Sequence, residues 1–213
     1  MSAMIKKYTS CLLLCALALS HAAWANNSAS RQPLTLYLVL HNDTSHHGTQ
    51  ELRQDYFAWL IKDLESFTGR YVRLAFIRDV PGLTDFAYQS DDVDETYYAW
   101  KNRMDRYVID NGLERNATTK YLLLTQNRIN SKTLGASTDK SYTGIASLET
   151  FTIPAHELGH MLGGTHEAAE VIYKGGWWCQ TNIIESHEKI RSNCYVYSDA
   201  NKQIIADHLN RFP

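Results

Sequence analysis

The segment HELGHMLGGTHE, from His156 to Glu167, places three histidines and two glutamates close together. His156 and His160 are four positions apart, so on an α-helix their imidazole rings project from the same face, one turn apart. Glu157 follows the first of these histidines and lies beside them without taking a ligand position. The sequence therefore predicts a helix that presents two histidines and a nearby carboxylate to one site.

Both ends of this segment carry signals for the limits of a helix. Thr152 and Pro154 favour a helix start, because proline is tolerated in the first turn. Gly163 and Gly164 favour a helix end, where glycine adopts the left-handed conformation without a side-chain clash. The chain can then reverse and bring His166 to a third ligand position. Three neutral imidazoles leave one tetrahedral position for water, which is typical of a catalytic zinc site; the alternative is a histidine-rich amphipathic helix that binds no metal.

The spacing HExxHxxGxxH, formed here by His156, Glu157, His160, Gly163 and His166, resembles the zinc signature of the metzincin metallopeptidases. The resemblance implies one Zn²⁺ per chain, held by the three histidines, with Glu157 as the catalytic general base. It also implies a mixed five-stranded sheet with an edge strand for the substrate and two long helices, the second of which carries the motif. The elements upstream fit that plan, so the resemblance extends over the chain after its first 25 residues.

The chain departs from the metzincin pattern downstream of the third histidine. Its last methionine is Met161, inside the motif, whereas metzincins place a methionine in a tight turn beneath the zinc. The nearest candidate segment is CQTNII, residues 179–184, in which Ile183, or less favourably Ile184, would replace the methionine as an apolar floor. The HELGH start and the acidic Glu167 are similar to the reprolysin-like branch, although astacins share the acidic residue.

A site of this kind implies hydrolysis of peptide bonds. Zinc lowers the pKa of its bound water and polarises the scissile carbonyl, while Glu157 takes the water proton and returns it to the leaving amine. By resemblance, an edge strand at Thr143–Leu148 would pair with an extended substrate peptide. Two alternatives are a catalytically weak or inactive zinc-containing binding module and a zinc hydrolase of non-peptide bonds. The retained Glu157 favours the enzyme, because loss of that base is the simplest route to inactivity.

The rest of the chain predicts alternating strands and helices. LTLYLVL at Leu34–Leu40 is a continuous apolar run, typical of a strand buried on both faces. Apolar residues at three- and four-residue spacing predict amphipathic helices elsewhere. The predicted elements after this strand are a helix at Thr49–Phe67, a strand at Tyr71–Ile77, a helix at Val93–Ile109, a strand at Tyr121–Thr125, two short strands at Thr133–Ser137 and Thr143–Leu148, the motif helix, and a C-terminal helix at Ser198–Leu209. This order predicts an α+β fold, an α/β-like sandwich in a single domain over residues 26–213.

The first 25 residues have the pattern of a secretory signal peptide. Lys6 and Lys7 precede the apolar run Cys11–Leu19, and Ala23-Trp24-Ala25 supplies small residues before a cleavage point after Ala25. A membrane anchor is the alternative, but the run is about half as long as the ~20 apolar residues that span a bilayer. The prediction is a secreted or periplasmic protein with no membrane anchor once the signal is removed.

Composition narrows the class of partner. The 213-residue chain has 21 basic and 23 acidic residues, a formal net charge of −2 at pH 7 with neutral histidines. It therefore has no basic field that attracts nucleic acid. We expect a monomer whose partner is a protein or peptide substrate.

Removal of the signal would leave two of the four cysteines. Cys11 and Cys15 lie in the signal, and Cys179 and Cys194 remain. Two cysteines in an oxidising compartment at this spacing predict one disulfide, worth ~3 kcal/mol on the chain-entropy model. The alternative, half of a Cys/His zinc site, lacks a closely spaced cysteine pair.

Two groups of residues outside the motif have alternative interpretations. His41, His46 and His47 cluster before the first predicted helix, where a solvated loop is favoured over a second metal site. Trp177 and Trp178 could line a substrate site, although burial is the commoner outcome for such a pair. Neither group matches a motif position of the family.

Overall fold

The apolar run Leu34–Leu40 forms an inner strand of a five-stranded sheet in the computed structural model, which describes residues 31–186 and 190–212. The strands of this sheet are β1 (Leu34–Leu40), β2 (Val72–Ile77), β3 (Thr119–Thr125), β4 (Gly135–Ser137) and β5 (Thr143–Ser147). Across the sheet the order is β2-β1-β3-β5-β4. β4 is antiparallel to its neighbour and the other pairs are parallel, so the sheet is mixed.

The inner position of β5 shows that the prediction of an edge strand at Thr143–Leu148 is wrong. β5 pairs with β3 on one side and with β4 on the other, and all of its residues are buried. The edge strand on this side of the sheet is β4, whose residues are only partly buried. The small residues of β5 give it a weak apolar pattern in the sequence. They also permit close packing, because a side chain at Gly144 would place its Cβ only 2.7 Å from the sulfur of Met161.

Four helices and a single 3-10 turn at Asn42–Thr44 accompany the sheet in the described part of the chain. Helix α1 is α-helical at Thr49–Glu51, π-helical at Leu52–Phe57 and α-helical again at Ala58–Thr68. The other helices are α2 (Val93–Asp110), α3 (Ile153–Met161) and α4 (Asp199–Leu209). Their positions agree with the predicted helices to within a few residues at each end.

Local chemistry sets the limits of these helices. α1 stops at Gly69, whose backbone φ of 62° is left-handed. Asp92 caps α2 because its side chain accepts a hydrogen bond from the backbone N–H of Glu95 at 2.9 Å. Ser198 caps α4 in the same way, accepting from the backbone N–H of Asn201 at 3.2 Å.

The helices divide between the two faces of the sheet. Successive residues of β1 point to opposite faces. Leu36 and Leu38 therefore belong to the apolar cluster that contains side chains of α1, α3 and α4. Val39 belongs to a second cluster, which contains side chains of α2. Helix α3, which carries the histidine motif, thus shares its core with the first and last helices.

A second, three-stranded sheet follows the motif and lies outside the elements predicted from the sequence. Its strands are β6 (Val171–Lys174), β7 (Trp177–Gln180) and β8 (Ser192–Asn193), in the order β6-β7-β8. Gly175 and Gly176 join the first two strands with φ angles of 63° and 89°. Positive φ at both turn residues is the conformation that two-residue hairpins favour, and it suits glycine.

A disulfide braces this small sheet. Cys179, in β7, is bonded to Cys194, the residue after β8, and their Cα atoms are 5.0 Å apart. Cys179 also lies beside Ser192 in the register of the two strands. The structure thus contains the disulfide that the sequence predicts.

The described residues from Arg31 onward belong to one compact unit. Within the described ranges, no helix combines the length and the apolar character needed to cross a bilayer. The predicted signal peptide, residues 1–25, lies outside the described residues.

Candidate metal centre

Helix α3 ends at Met161, and the chain then reverses its direction. Pro154 lies in its first turn, as the sequence predicts. Gly163 lies just beyond the last turn and has a left-handed φ of 97°. The backbone N–H of Gly164 then donates to the carbonyl oxygen of Gly159 at 2.8 Å. This reversal brings His166 back beside the helix.

The three histidines direct one ring nitrogen each to a common position. The Nε2 atoms of His156, His160 and His166 are 3.0 to 3.1 Å from one another. Nitrogen ligands of one tetrahedral zinc ion, with bonds of ~2.0–2.1 Å, lie ~3.3 Å apart, so the spacing suits a single small ion. Among the described residues, this is the group of His, Cys, Asp and Glu side chains placed to hold a metal ion.

Backbone carbonyls hold two of the rings in the tautomer that a metal ion requires. Nδ1 of His160 lies 2.9 Å from the carbonyl oxygen of Gly164, and Nδ1 of His156 lies 3.1 Å from that of Asn182. Because a carbonyl oxygen only accepts, each Nδ1 carries the proton and each Nε2 presents a lone pair to the common position. Burial also lowers the pKa of His160, which favours its neutral ring.

Glu157 is buried beside the triad and is contacted by the edge strand β4. Its carboxylate oxygen Oε2 accepts a hydrogen bond from Oγ of Ser137 at 2.7 Å. A Cβ at Gly135 would lie 2.6 Å from the other oxygen, Oε1, so glycine leaves the space that the carboxylate occupies. Burial raises the pKa of Glu157 to about 7, and the hydrogen bond from Ser137 offsets part of that effect.

The triad and Glu157 line one side of a cleft with a volume of about 280 Å³. The other walls come from the edge strand and from the first turn of α2, and are formed by Gly135, Ala136, Ser137, Thr138, Val93, Asp94 and Tyr97. The hydroxyl of Tyr97 is 3.0 Å from Oγ1 of Thr138, which ties α2 to the end of β4. The motif alone does not indicate α2 as a wall, because that contact depends on how the helix crosses the sheet.

Residues 179–184, the segment expected to replace the methionine turn, pack against α3. Ile183 is fully buried, whereas Ile184 is only partly buried. A Cβ at Gly159 or Gly164 would lie 2.5 or 2.4 Å from Cδ1 of Ile183, so both glycines allow this close approach. The same segment supplies the carbonyl that holds one histidine of the triad. The equivalence of Ile183 to the metzincin methionine stays a prediction.

The histidines before α1 make local contacts and do not converge on one position. Nδ1 of His41 lies 2.7 Å from a carboxylate oxygen of Asp43, and Nε2 lies 3.0 Å from the carbonyl oxygen of Phe86. His47 pairs with Glu51 one helical turn away, at 2.9 Å. These contacts give the group a structural role at the end of β1.

Trp177 and Trp178 are exposed, so the expectation that such a pair is buried is wrong here. Their side chains are 61% and 54% exposed. They are consecutive residues of β7 and therefore point to opposite faces of the small sheet. Neither face of this hairpin is covered at its tip, and both side chains remain in solvent.

Neither a protein-family model nor a curated protein sequence matches this chain. A solved structure does: metalloproteinase-II from Bacteroides fragilis, with a TM-score of 0.55 and 15% sequence identity. The match covers 84% of this chain and 53% of that one, so this chain spans about half the length of the metalloproteinase. At this identity the likeness shows a shared fold. The chain thus has a metalloproteinase-like fold and a histidine triad that could hold a metal ion.

Proposed function

We propose that the chain is a secreted or periplasmic zinc metallopeptidase of the metzincin type, with His156, His160 and His166 as zinc ligands and Glu157 as general base. The observation that carries the proposal is the convergence of three Nε2 atoms beside a buried carboxylate. The metalloproteinase-like fold supports the same reaction class. The disulfide between Cys179 and Cys194 supports an oxidising compartment.

The donor set fits zinc better than a harder cation. Three neutral imidazoles are preferred ligands of Zn²⁺, whereas Mg²⁺ and Ca²⁺ prefer oxygen ligands. Three protein ligands also leave a position open for water or substrate, as catalytic zinc sites do. When bound, zinc would supply Lewis-acid chemistry, acidifying a water molecule and polarising the scissile carbonyl.

The chain's own residues would manage the proton and the substrate. Glu157 would take the proton from the attacking water and deliver it to the leaving amine. Ser137 would hold that carboxylate in place through its 2.7 Å hydrogen bond. Strand β4, and not β5, would align an extended peptide, because β4 is the free edge of the sheet next to Glu157. The substrate is therefore a protein or peptide that enters the cleft in extended form.

The test is a comparison of Glu157→Gln with the unaltered protein on a general protein substrate. We expect the variant to bind one zinc per chain and to lose activity by about 10²- to 10⁴-fold, because the base is removed and the ligands are kept. Metal content would be measured by elemental analysis and turnover by release of labelled peptides. Each ligand variant, such as His166→Ala, should lose the zinc.

The matched control is Glu170→Gln, which makes the same chemical change at an exposed glutamate near the motif. It should keep both zinc and activity. A Glu157→Gln protein with near-normal turnover would show that another group is the base. Full zinc binding together with no hydrolysis by the unaltered protein would favour a zinc-containing binding module.

A further inference from the structure

The hairpin of β6 and β7 carries a concentration of exposed apolar side chains. Tyr173 is 64% exposed and Trp177 and Trp178 are 61% and 54% exposed, and Ile190, just before β8, is 79% exposed. With Arg191 they line a shallow groove of about 700 Å³. We name Tyr173, Lys174, Trp177, Trp178, Ile190 and Arg191 the aromatic tip. Single exposed apolar residues are ordinary, but a contiguous group of this size marks an interaction surface.

The aromatic tip has apolar side chains on both faces of the hairpin. Tyr173 lies directly opposite Trp178, and their ring centroids are 5.2 Å apart. Trp177 lies opposite Lys174, next to the turn, so its side chain leaves the strand toward the other face although the residue also borders the groove. Rings on both sides of a narrow hairpin are suited to entering an apolar layer.

The two charged side chains of the aromatic tip itself are both basic. Lys174 and Arg191 are these two residues, and the exposed Glu170 and Glu185 flank the tip in the sequence without belonging to it. Both cations are exposed and both belong to the aromatic tip. The whole chain, in contrast, has a formal net charge of −2. Tryptophan and tyrosine beside basic residues are the combination found at the boundary between lipid headgroups and acyl chains.

The hairpin is also held in a fixed shape. The disulfide between Cys179 and Cys194 joins β7 to the residue after β8. At the base of the hairpin, the backbones of Glu170 and Thr181 are hydrogen-bonded at 3.0 Å. An exposed tip on a braced base loses little conformational freedom on binding, which favours association.

We propose that the aromatic tip docks on the surface of a lipid bilayer that contains anionic headgroups. Trp177, Trp178, Tyr173 and Ile190 enter the headgroup region, and Lys174 and Arg191 contact the anionic groups. The proposal is independent of the peptidase function, because none of these residues lines the cleft of the histidine triad. It gives the protein a peripheral mode of membrane attachment.

The test is sedimentation of the full chain with vesicles of phosphatidylcholine alone or mixed with phosphatidylglycerol. We expect binding to the anionic vesicles that weakens at high salt. Trp177→Ser/Trp178→Ser should reduce the bound fraction by about tenfold or more, because two interfacial rings are removed. Lys174→Gln/Arg191→Gln should remove the preference for anionic vesicles. The N-terminal residues are the same in every variant, so differences between variants report on the tip.

The matched control is Tyr71→Ser/Ile109→Ser, which removes two side chains that are 68% and 71% exposed elsewhere on the molecule. It should bind vesicles as the unaltered protein does. Tryptophan fluorescence should shift to shorter wavelength on vesicle binding, and only the tip variants should lose this shift. Circular dichroism and the intact disulfide would establish that each variant is folded.

Equal vesicle binding by the tip variants and the unaltered protein would overturn the proposal. So would an equal loss in the control variant. Loss of self-association in the tip variants, with vesicle binding unchanged, would assign the surface to a second copy of the chain instead. Hydrolysis of a soluble peptide by the tip variants should be unchanged, which separates this test from the test of the peptidase function.

Discussion

Ser137 shows how a single hydroxyl outside the motif acts on the proposed base. It donates to the Glu157 carboxylate at 2.7 Å and does not belong to the histidine triad. Because the bond positions the carboxylate, and a misplacement of about 1 Å can cost ~10²-fold in rate, we expect Ser137→Ala to lower kcat by up to about 100-fold. KM should change little, since the bond positions the base and not the substrate. Steady-state kinetics at full zinc occupancy would measure both constants.

Ser137→Thr is the conservative partner of that variant, because it retains a hydroxyl. It should recover much of the lost kcat. Equal rates in the alanine and threonine variants would show that the hydrogen bond has no part in turnover, whatever its contribution to folding.

The residues around Glu157 differ in how far the sequence could predict them. His156 and His160 could be predicted because four-residue helical spacing brings them together, and Glu157 because it follows His156 in the motif. Gly135 and Ser137 could not, since their approach to Glu157 depends on the pairing of β4 with β5 and on the packing of α3 over both. Both residues lie twenty or more positions before Glu157, so no local sequence pattern indicates the contact.

Lys120 is a buried cation on β3, and it makes stability depend on pH. Its ammonium donates to the carbonyl oxygen of Ser141 at 2.9 Å, and burial lowers its pKa from 10.5 to about 7, partly opposed by Asp139. In the unfolded chain this lysine keeps its proton until about pH 10. Between pH 7 and pH 10 the unfolded chain therefore binds more protons than the folded chain. The free energy of unfolding should therefore rise with pH, by on the order of 2 kcal/mol between pH 7 and pH 9.

Urea unfolding at pH 7, 8 and 9 would measure this slope. Lys120→Met should remove it and should raise stability most at the lower pH, where the buried charge is costly. Lys132→Met changes an exposed lysine and should leave the slope in place. An unchanged slope in Lys120→Met would assign the pH dependence to other groups.

At the scale of an element, residues 179–184 pack against α3, the helix that carries the histidine motif. Ile183 fills the space beside Gly159 and Gly164, and its neighbour Asn182 holds the ring of His156. We expect Ile183→Ala to lower the free energy of unfolding by ~2–5 kcal/mol, the usual cost of such a cavity. Zinc affinity should fall as well, because the carbonyl that orients the ring loses its support.

Ile183→Met nearly preserves the volume of the buried side chain, so it should retain zinc affinity and stability. Unfolding in urea would measure the free energy of unfolding, and competition with a chromophoric chelator would measure the zinc affinity. An Ile183→Ala protein with lowered stability and unchanged zinc affinity would show that the segment stabilises the core but does not orient the zinc ligand.

Several elements could be predicted from periodicity, and others could not. The apolar run of β1 and the three- and four-residue spacing in α1 and α2 identify these elements because each buries one continuous surface. β6, β7 and β8 have two to four residues each, which is too short for a period to appear. The paired glycines between β6 and β7 read equally well as a loop or a hairpin turn.

At the scale of the whole molecule, the site depends on segments that are distant in sequence. The cleft takes its walls from α2, β4 and α3. Because the folded chain presents the three histidines together and the unfolded chain does not, zinc should stabilise the fold by mass action. Zinc at 100 times its dissociation constant would add ~2.7 kcal/mol, so we expect a higher Tm in zinc than in chelator.

Thermal unfolding in zinc and in chelator would measure this difference. His166→Ala removes one ligand and should abolish the shift in Tm while leaving the unfolding transition itself cooperative. A shift that survives in His166→Ala would place the stabilising ion elsewhere.

The order of the strands in the five-stranded sheet could not be predicted from the sequence. The α+β class follows from the order of the elements, but the order β2-β1-β3-β5-β4 does not. A hairpin such as β4–β5 can join a sheet through either strand. Here the close fit of Gly144 against Met161 accompanies β5 on the inner side. That contact joins residues that are far apart in the sequence, so no local sequence pattern predicts it.

The length of β4 has a consequence for how the protein avoids pairing with itself. An open sheet edge that accepts a peptide also offers a template to any other extended chain, including a second copy of this one. β4 has three residues, and so short a strand forms too few backbone hydrogen bonds to hold a partner alone. A chain would remain on this edge only if the cleft also held it. The shortness of β4 thus disfavours pairing of a second copy along this edge, and in the proposed peptidase it leaves the choice of bound peptide to the side chains around the histidines.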